Sequence, residues 1–203
     1  MAPKGTHSPV KPRRGSPLGP FVGSWPVERT SDEMVDDSRE EVVIRSATPE
    51  DAAAVAGIYN PYVTDTIVTF EEEAVSTAEI ARRMKEVQAG AFPWLVAERA
   101  DEVIGYSYAA PWKARSGYRF SAEITVYLAP GQGRRGTGAK LYGALFPMLR
   151  QRGIRTLIGG IALPNEASVA LHEKLGMEKV AHFREVGFKL GQWIDVGYWQ
   201  RAL

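Results

Sequence analysis

The chain has 203 residues, a hydrophobic fraction of 44% and a formal net charge of +1, which is enough apolar material for one substantial core in one domain with a tail. So small a net charge gives no electrostatic reason to bind nucleic acid or an anionic membrane. There is no cysteine, which excludes disulfides, thiolate metal sites and a cysteine nucleophile, and no apolar run reaches the length of a membrane span.

Residues 1–41 differ in character from the rest. Met1 to Pro26 is rich in Pro, Gly and Ser, carries Lys4, Lys11, Arg13 and Arg14, and has no acidic residue. Its low apolar content predicts a disordered tail; a basic arm that touches a partner is the alternative. The stretch lacks the continuous apolar region of a secretory signal and the amphipathic spacing of a transit peptide, so a cytoplasmic protein is expected. Met34, which precedes an acidic stretch, is a candidate start.

The folded domain is expected over residues 42–203. Val42 to Arg45 reads as a strand, and Thr48-Pro49 opens a helix running toward Tyr59. Thr77 to Ala89 is a second helix, stopped by Gly90. Trp94 to Glu98 and Val103 to Ala110 form a hairpin around Ala100-Asp101-Glu102. From Tyr118 to Leu128 the even positions (Tyr118, Phe120, Ala122, Ile124, Val126, Leu128) are apolar or small, and the odd ones are Arg119, Ser121, Glu123, Thr125 and Tyr127. This alternation predicts a strand with one packed and one polar face. Glu123 sits mid-strand on the polar side, facing either water or a cleft.

A glycine-rich turn follows, with Gly131, Gly133, Gly136 and Gly138, and then apolar residues at spacings of three and four (Leu141, Tyr142, Leu145, Phe146, Leu149) that predict a helix ending near Gly153. Glycine backbone can take φ > 0 and approach a ligand closely. The free N–H groups and positive dipole end of such a helix attract phosphate, and Arg134 and Arg135 add charge there. The motif is neither a triphosphatase loop, since no Gly-Lys-Ser/Thr follows, nor the dinucleotide fingerprint. Thr156 to Ile161 reads as a short buried strand, and Asn165 to Leu175 as a helix with Gly176 just past its end. A closing pair, Val180 to Leu190 and Trp193 to Arg201, turns at Gly191. These elements compose an α/β (α+β) domain with a mixed, mostly antiparallel sheet and helices on both faces, not the regular βαβ alternation of a doubly wound fold.

Arg134-Arg-Gly-Thr-Gly-Ala139 followed by Leu141 resembles the coenzyme A-binding motif of GNAT-superfamily N-acetyltransferases. Leu163-Pro-Asn-Glu-Ala-Ser-Val-Ala-Leu-His-Glu-Lys-Leu-Gly-Met177 resembles the superfamily's second cofactor segment. Ile58-Tyr-Asn-Pro-Tyr-Val63, Thr69-Phe-Glu71, Trp112-Lys-Ala-Arg115, Tyr118 and Gly197-Tyr-Trp-Gln200 are similar to phosphinothricin and methionine sulfoximine N-acetyltransferases. The chain departs from the superfamily pattern at Gly133, where Gln or Arg is usual, with Gln132 one step earlier, and at Met177, where an aromatic is common.

The resemblance implies acetyl transfer from acetyl-CoA, without a metal, to the amino group of a small-molecule amine, in a homodimer that needs neither nucleic acid nor membrane. Glu123 is the implied base, since an amine must lose its proton before it attacks. His172 stands where many members have Tyr and is a candidate general acid or thiol hydrogen-bond donor, with a surface histidine as the alternative. The implied cofactor contacts are Val126, Tyr127 and Leu128, then Arg134, Arg135, Gly136, Thr137, Gly138 and Ala139, then Asn165 and Lys174. Asn165 is also a natural helix cap. The implied acceptor contacts are Phe70, Lys113, Ala114, Arg115, Glu123, Ile124 and Thr125, with Arg115 suited to gripping a carboxylate. A different acceptor (a protein N-terminus, lysine or polyamine) and a non-catalytic acyl-CoA-binding regulator remain open as alternatives, although the retained Glu123 argues against the second.

Overall fold

The computed structural model describes residues 41–203; the expectations for the tail and for Met34 fall outside them. Seven strands, β1 Val43–Ser46, β2 Trp94–Arg99, β3 Glu102–Pro111, β4 Ser121–Leu128, β5 Thr156–Leu163, β6 Glu178–Lys189 and β7 Gln192–Ala202, form one sheet in the order β1-β2-β3-β4-β5-β7-β6. Every pairing is antiparallel except β4 with β5. Four helices cover it: α1 Ala52–Asp65, α2 Thr77–Ala89, α3 Thr137–Gln151 and α4 Glu166–Lys174. No helix of the described residues is long and apolar enough to cross a membrane.

Two cores follow from the alternation of β2. Leu95 and Ala97 join Leu141, Leu145 and Leu149 of α3 on one face. Trp94 and Val96 join Val55, Ile58 and Val63 of α1 and Ile80 and Met84 of α2 on the other. This strand is covered on both sides and reads as a nearly continuous apolar run for that reason. The turn to β3 places Ala100 and Asp101 at φ 50° and 59°, the two positive values that a two-residue hairpin needs to match strand twist. Leu190 and Gly191 repeat that geometry between β6 and β7, at φ 50° and 76°.

Three sequence expectations shift. The first helix does not stop at Tyr59: it continues through Pro61 to Asp65, while the Asn60 side chain both donates to and accepts from the backbone of Val75 at 3.0 and 2.8 Å. The strand predicted from Tyr118 starts at Ser121, because Ser116–Tyr118 winds into a 3-10 turn. Tyr118 and Phe120 are therefore 43% and 49% exposed instead of packed. Only Gly131 and Gly136 of the four motif glycines take positive φ, and Arg134 takes the third such position at 62°.

Candidate active site

β4 and β5 pair at only three positions, Ser121↔Thr156, Ala122↔Leu157 and Glu123↔Ile158. Beyond Glu123 the strands share no ladder, although both continue for several residues. The gap opens a cavity of ≈ 300 Å³ bounded by Glu123 to Tyr127 of β4 and Gly160 to Ala162 of β5. Tyr142 of α3 and Asn165, Ser168 and His172 close one side. Tyr59, Tyr108, the segment Val68 to Phe70, and Val196 and Tyr198 of β7 complete the lining.

Glu123 is the last paired residue before the gap. A Cβ on Gly160 would lie 3.5 Å from its Oε1 and 3.2 Å from a ring carbon of Tyr198, so glycine there leaves room for both side chains. Burial raises the Glu123 pKa, and the Lys113 charge pulls it partly back. A carboxyl so placed is moved toward the neutral range where a base works best.

His172 is 3% exposed, which removes the surface reading. Its Nδ1 lies 2.7 Å from the Ser168 carbonyl oxygen, an acceptor only, so Nδ1 carries the proton and donates. The lone pair of Nε2 then faces the Tyr142 hydroxyl at 3.5 Å, a long contact. Burial lowers the His172 pKa and so favours the neutral ring; with the proton on Nδ1, Nε2 is the acceptor in its contact with Tyr142. The O–H at this place belongs to Tyr142, which is fully buried and whose pKa burial raises well above the ordinary value. Sequence reasoning counted Tyr142 as core because its helical spacing fits. The signal was its phenol, since a buried tyrosine hydroxyl needs a partner.

The first intrahelical bond of α3 is Lys140 N–H to Gly136 O at 3.0 Å, and Gly136, at φ 82°, has no side chain to cap the helix. The N–H groups of Thr137, Gly138 and Ala139 thus lack intrahelical acceptors. The Thr137 hydroxyl is buried without a partner among the described residues. Arg134 and Arg135 are exposed beside this turn. These groups fit a pyrophosphate. Gly138 serves packing as well, since a Cβ there would lie 3.0 Å from Leu171 Cδ2 of α4. Gln132, next to the departure at Gly133, accepts a 3.0 Å hydrogen bond from the buried Arg99, which anchors the loop from β2.

Other expected residues divide. Val126 and Tyr127 line the gap; the Leu128 carbonyl is occupied by the Tyr62 hydroxyl at 2.7 Å. Asn165 is the helix cap expected of it: its side chain accepts from Ser168 N–H at 3.1 Å, and the residue also lines the cavity. Lys174 is exposed in the last turn of α4, outside the cavity. Phe70, Ile124 and Thr125 line the cavity. Lys113 is exposed, with its ammonium 4.5 Å over the Trp112 ring, and lines a neighbouring groove of ≈ 490 Å³. Ala114 and Arg115 are exposed and line neither. The loop turns them away because Arg115 begins the 3-10 turn, its carbonyl accepting from Tyr118 N–H at 2.9 Å. Tyr59, Tyr108, Ser168 and Tyr198 were not foreseen as lining residues. Among the described residues no group of three or more His, Asp or Glu side chains could hold a metal ion.

Comparison with known proteins agrees with this geometry. Residues 44–197 match the acetyltransferase (GNAT) domain family. The chain is 41% identical to the phosphinothricin N-acetyltransferase of Streptomyces viridochromogenes, over 80% of this chain and 88% of that protein. It is 33% identical to the L-methionine sulfoximine/L-methionine sulfone acetyltransferase of Salmonella typhimurium, over 80% and 95%. The crystal structure of a phosphinothricin acetyltransferase from Sinorhizobium meliloti in complex with acetyl-CoA superposes with a TM-score of 0.77, at 34% identity over 80% of this chain and 88% of that one. A ribosomal-protein-alanine N-acetyltransferase from Brucella melitensis gives 0.77 at 35% identity, over 79% and 99%. With a sheet that parts beside Glu123, a helix start suited to pyrophosphate and these relatives, the chain belongs to the GNAT family and is an acetyl-CoA-dependent N-acetyltransferase.

Proposed function

We propose that the protein acetylates the amino group of a small amino acid or analogue of the phosphinothricin and methionine sulfoximine type, by direct attack with Glu123 as general base. The observation that carries this reading is the place of Glu123. It is a half-buried carboxyl at the point where β4 leaves β5, in the cavity that Phe70, Thr125 and Tyr198 share. Glu123 takes a proton from the ammonium form of the acceptor, directly or through water. The amine nitrogen then bonds to the thioester carbon, the C–S bond breaks, and the nitrogen's second proton passes, directly or through water, to the departing thiolate, which leaves as the thiol. The Tyr142 O–H is a buried donor on α3 that lines the cavity and can turn from His172 to the departing sulfur or the oxyanion. The unpaired edge of β4 beyond Glu123 offers main-chain groups to the pantetheine arm. Arg134, Arg135 and the N–H groups of residues 136–139 take the pyrophosphate.

A thiol-release assay over a panel of amines, with methionine sulfoximine and phosphinothricin among them, tests the acceptor class. The likeness to a ribosomal-protein-alanine N-acetyltransferase motivates a second arm of alanyl peptides. Faster turnover of the peptides would replace the amino-acid reading. We also read the protein as a cytoplasmic homodimer. The terminal strand β6 and its partner expose Val180, Phe183, Val186, Phe188 and Trp193, each more than half uncovered, and apolar patches of this kind are surfaces for association. Sedimentation at micromolar concentration tests the assembly; a monomer there overturns it.

A further inference from the structure

Lys189 lies on β6, a strand whose neighbours Phe188 and Leu190 are exposed, yet it is only 2% exposed itself. Its ammonium donates to the Thr69 carbonyl at 2.7 Å and the Tyr62 carbonyl at 3.3 Å. Among the described residues it makes no ion pair within bonding distance; Glu71 and Glu72 are the charged groups that face it. A buried ammonium is costly, so packing alone would favour an apolar side chain at this position. Two residues earlier, a Cβ on Gly187 would lie 2.0 Å from Phe70 Cε1, so the Phe70 ring rests directly on the β6 main chain. β6 is shaped for this contact: its register with β7 shifts between Phe183 and Gly187, and Glu185 sits at φ 50°.

The segment held this way, residues 66–73, belongs to no helix or strand. From the other side the Tyr59 and Thr69 hydroxyls are 2.8 Å apart, and Glu71 pairs with Arg83 of α2 at 2.6 Å. Val68, Thr69 and Phe70 form part of the cavity wall. A wall with no ladder of its own takes its position from whatever clamps it.

We infer that Lys189 and Gly187 are positioning residues that set Val68–Phe70 against the cavity and thereby select which acceptor amines fit. The inference deepens the acceptor-site reading and rests on it. Gly187→Ala leaves the Lys189 hydrogen bonds in place and displaces the Phe70 ring, whose Cε1, Cζ and Cδ1 would lie 2.0, 2.4 and 2.9 Å from the added Cβ. Lys189→Met removes the hydrogen bonds and keeps most of the volume.

The test measures kcat and KM for acceptors of graded side-chain size, with acetyl-CoA affinity by calorimetry in parallel. Both variants should change the ratio of kcat/KM between small and large acceptors by about tenfold, the equivalent of roughly 1.4 kcal/mol, and leave the acetyl-CoA Kd within about twofold. The Gly187→Ala effect should vanish in a Phe70→Ala background, since the two changes act through one contact. Unchanged acceptor ratios with a lowered Tm would make both residues merely structural and overturn the inference, as would a Gly187→Ala effect that persists without Phe70. Hydrogen exchange gives a readout that needs no acceptor. In Lys189→Met, amides of 66–73 should exchange at least about tenfold faster while α3 is unchanged; equal protection would sink the clamp even if the acceptor class were different from the one proposed. Wild-type protein that turns over none of the amines overturns the functional reading alone, and exchange then decides the clamp. Should Lys189→Met fail to fold, Gly187→Ala and its double variant carry the decision.

Discussion

A Cβ atom on Gly159 would lie 2.6 Å from Nε2 of His172, so the imidazole occupies the space that any other side chain at this position would fill. Its neighbour Gly160 faces the opposite side of the sheet, as alternation requires, and makes the same kind of room for Glu123 and Tyr198. Glycine weakens a strand interior. A pair of them at the end of the β4–β5 ladder marks a place where side chains from both faces must approach the main chain.

Gly159→Ala should therefore displace His172 and with it Tyr142. Overpacking of this kind costs about 1–3 kcal/mol, read as a drop in Tm, with a fall in kcat and little change in acetyl-CoA affinity. Full activity with an unchanged melting curve would show that the ring can move freely.

Glu123→Gln should lower kcat about 10²–10⁴-fold, the usual range for loss of a general base, while acetyl-CoA still binds. The loss should shrink as pH rises and free amine becomes abundant. Stability should move the other way. The folded pKa of Glu123 is raised, so its protonated form is favoured by folding, and that contribution is lost as pH rises through the raised value. The Gln variant should thus melt above the wild type at pH 8, and the difference should close below the ordinary carboxyl range. A variant melting below wild type at pH 8 would contradict the burial argument.

Tyr142→Phe should reduce kcat by about 10²–10³-fold if its O–H meets developing charge, whereas His172→Phe, which removes only the acceptor that orients it, should cost less. His172 also has a stability signature. Its folded pKa is lowered, so the unfolded chain takes up the proton first and wild-type stability declines as pH falls below about 6.5. Melting curves from pH 7.5 to 5 should show a component that His172→Phe lacks; a parallel pH profile would mean that the ring can protonate in place.

The two motif glycines should fail differently. Gly136→Val forces a β-branched residue to φ 82° at the helix start, and acetyl-CoA affinity should drop by on the order of tenfold. Gly138→Val pushes on Leu171 instead, so its first symptom should be a lowered Tm from the α3–α4 contact. Calorimetry and thermal melts on the same samples separate the two.

Lys113 acts on Glu123 by charge, and Arg115 lies outside the cavity. Lys113→Met should raise the Glu123 pKa further and shift the acid limb of the pH–rate profile upward. Arg115→Ala should leave both that limb and the acceptor KM within about twofold, below the roughly 1.5–3 kcal/mol that a lost hydrogen bond to a charged group costs. A larger rise in KM confined to acceptors that carry a carboxylate would restore Arg115 to the substrate grip.

What the sequence determined by itself was everything carried by local pattern. The helical spacing of Leu141, Leu145 and Leu149, the cap at Asn165, the glycine stop after α4 and the turn at Gly191 need only neighbours a few residues away. Together with the two cofactor motifs they made the family legible, along with the placing of Glu123 beside the phosphate turn. Alternation could not say that Tyr118 would fall in a 3-10 turn and Phe120 in the turn that follows it, because their packing partners would have had to come from elsewhere in the chain. What only the tertiary structure decided were the relations across long sequence separations: Tyr142 with His172, Gly160 with Glu123, Phe70 with Gly187, and Lys189 with Thr69. Periodicity reports that a side chain is buried, not what meets it there. The tautomer of one buried histidine depends on a carbonyl and a phenol that the fold alone brings to its two nitrogens.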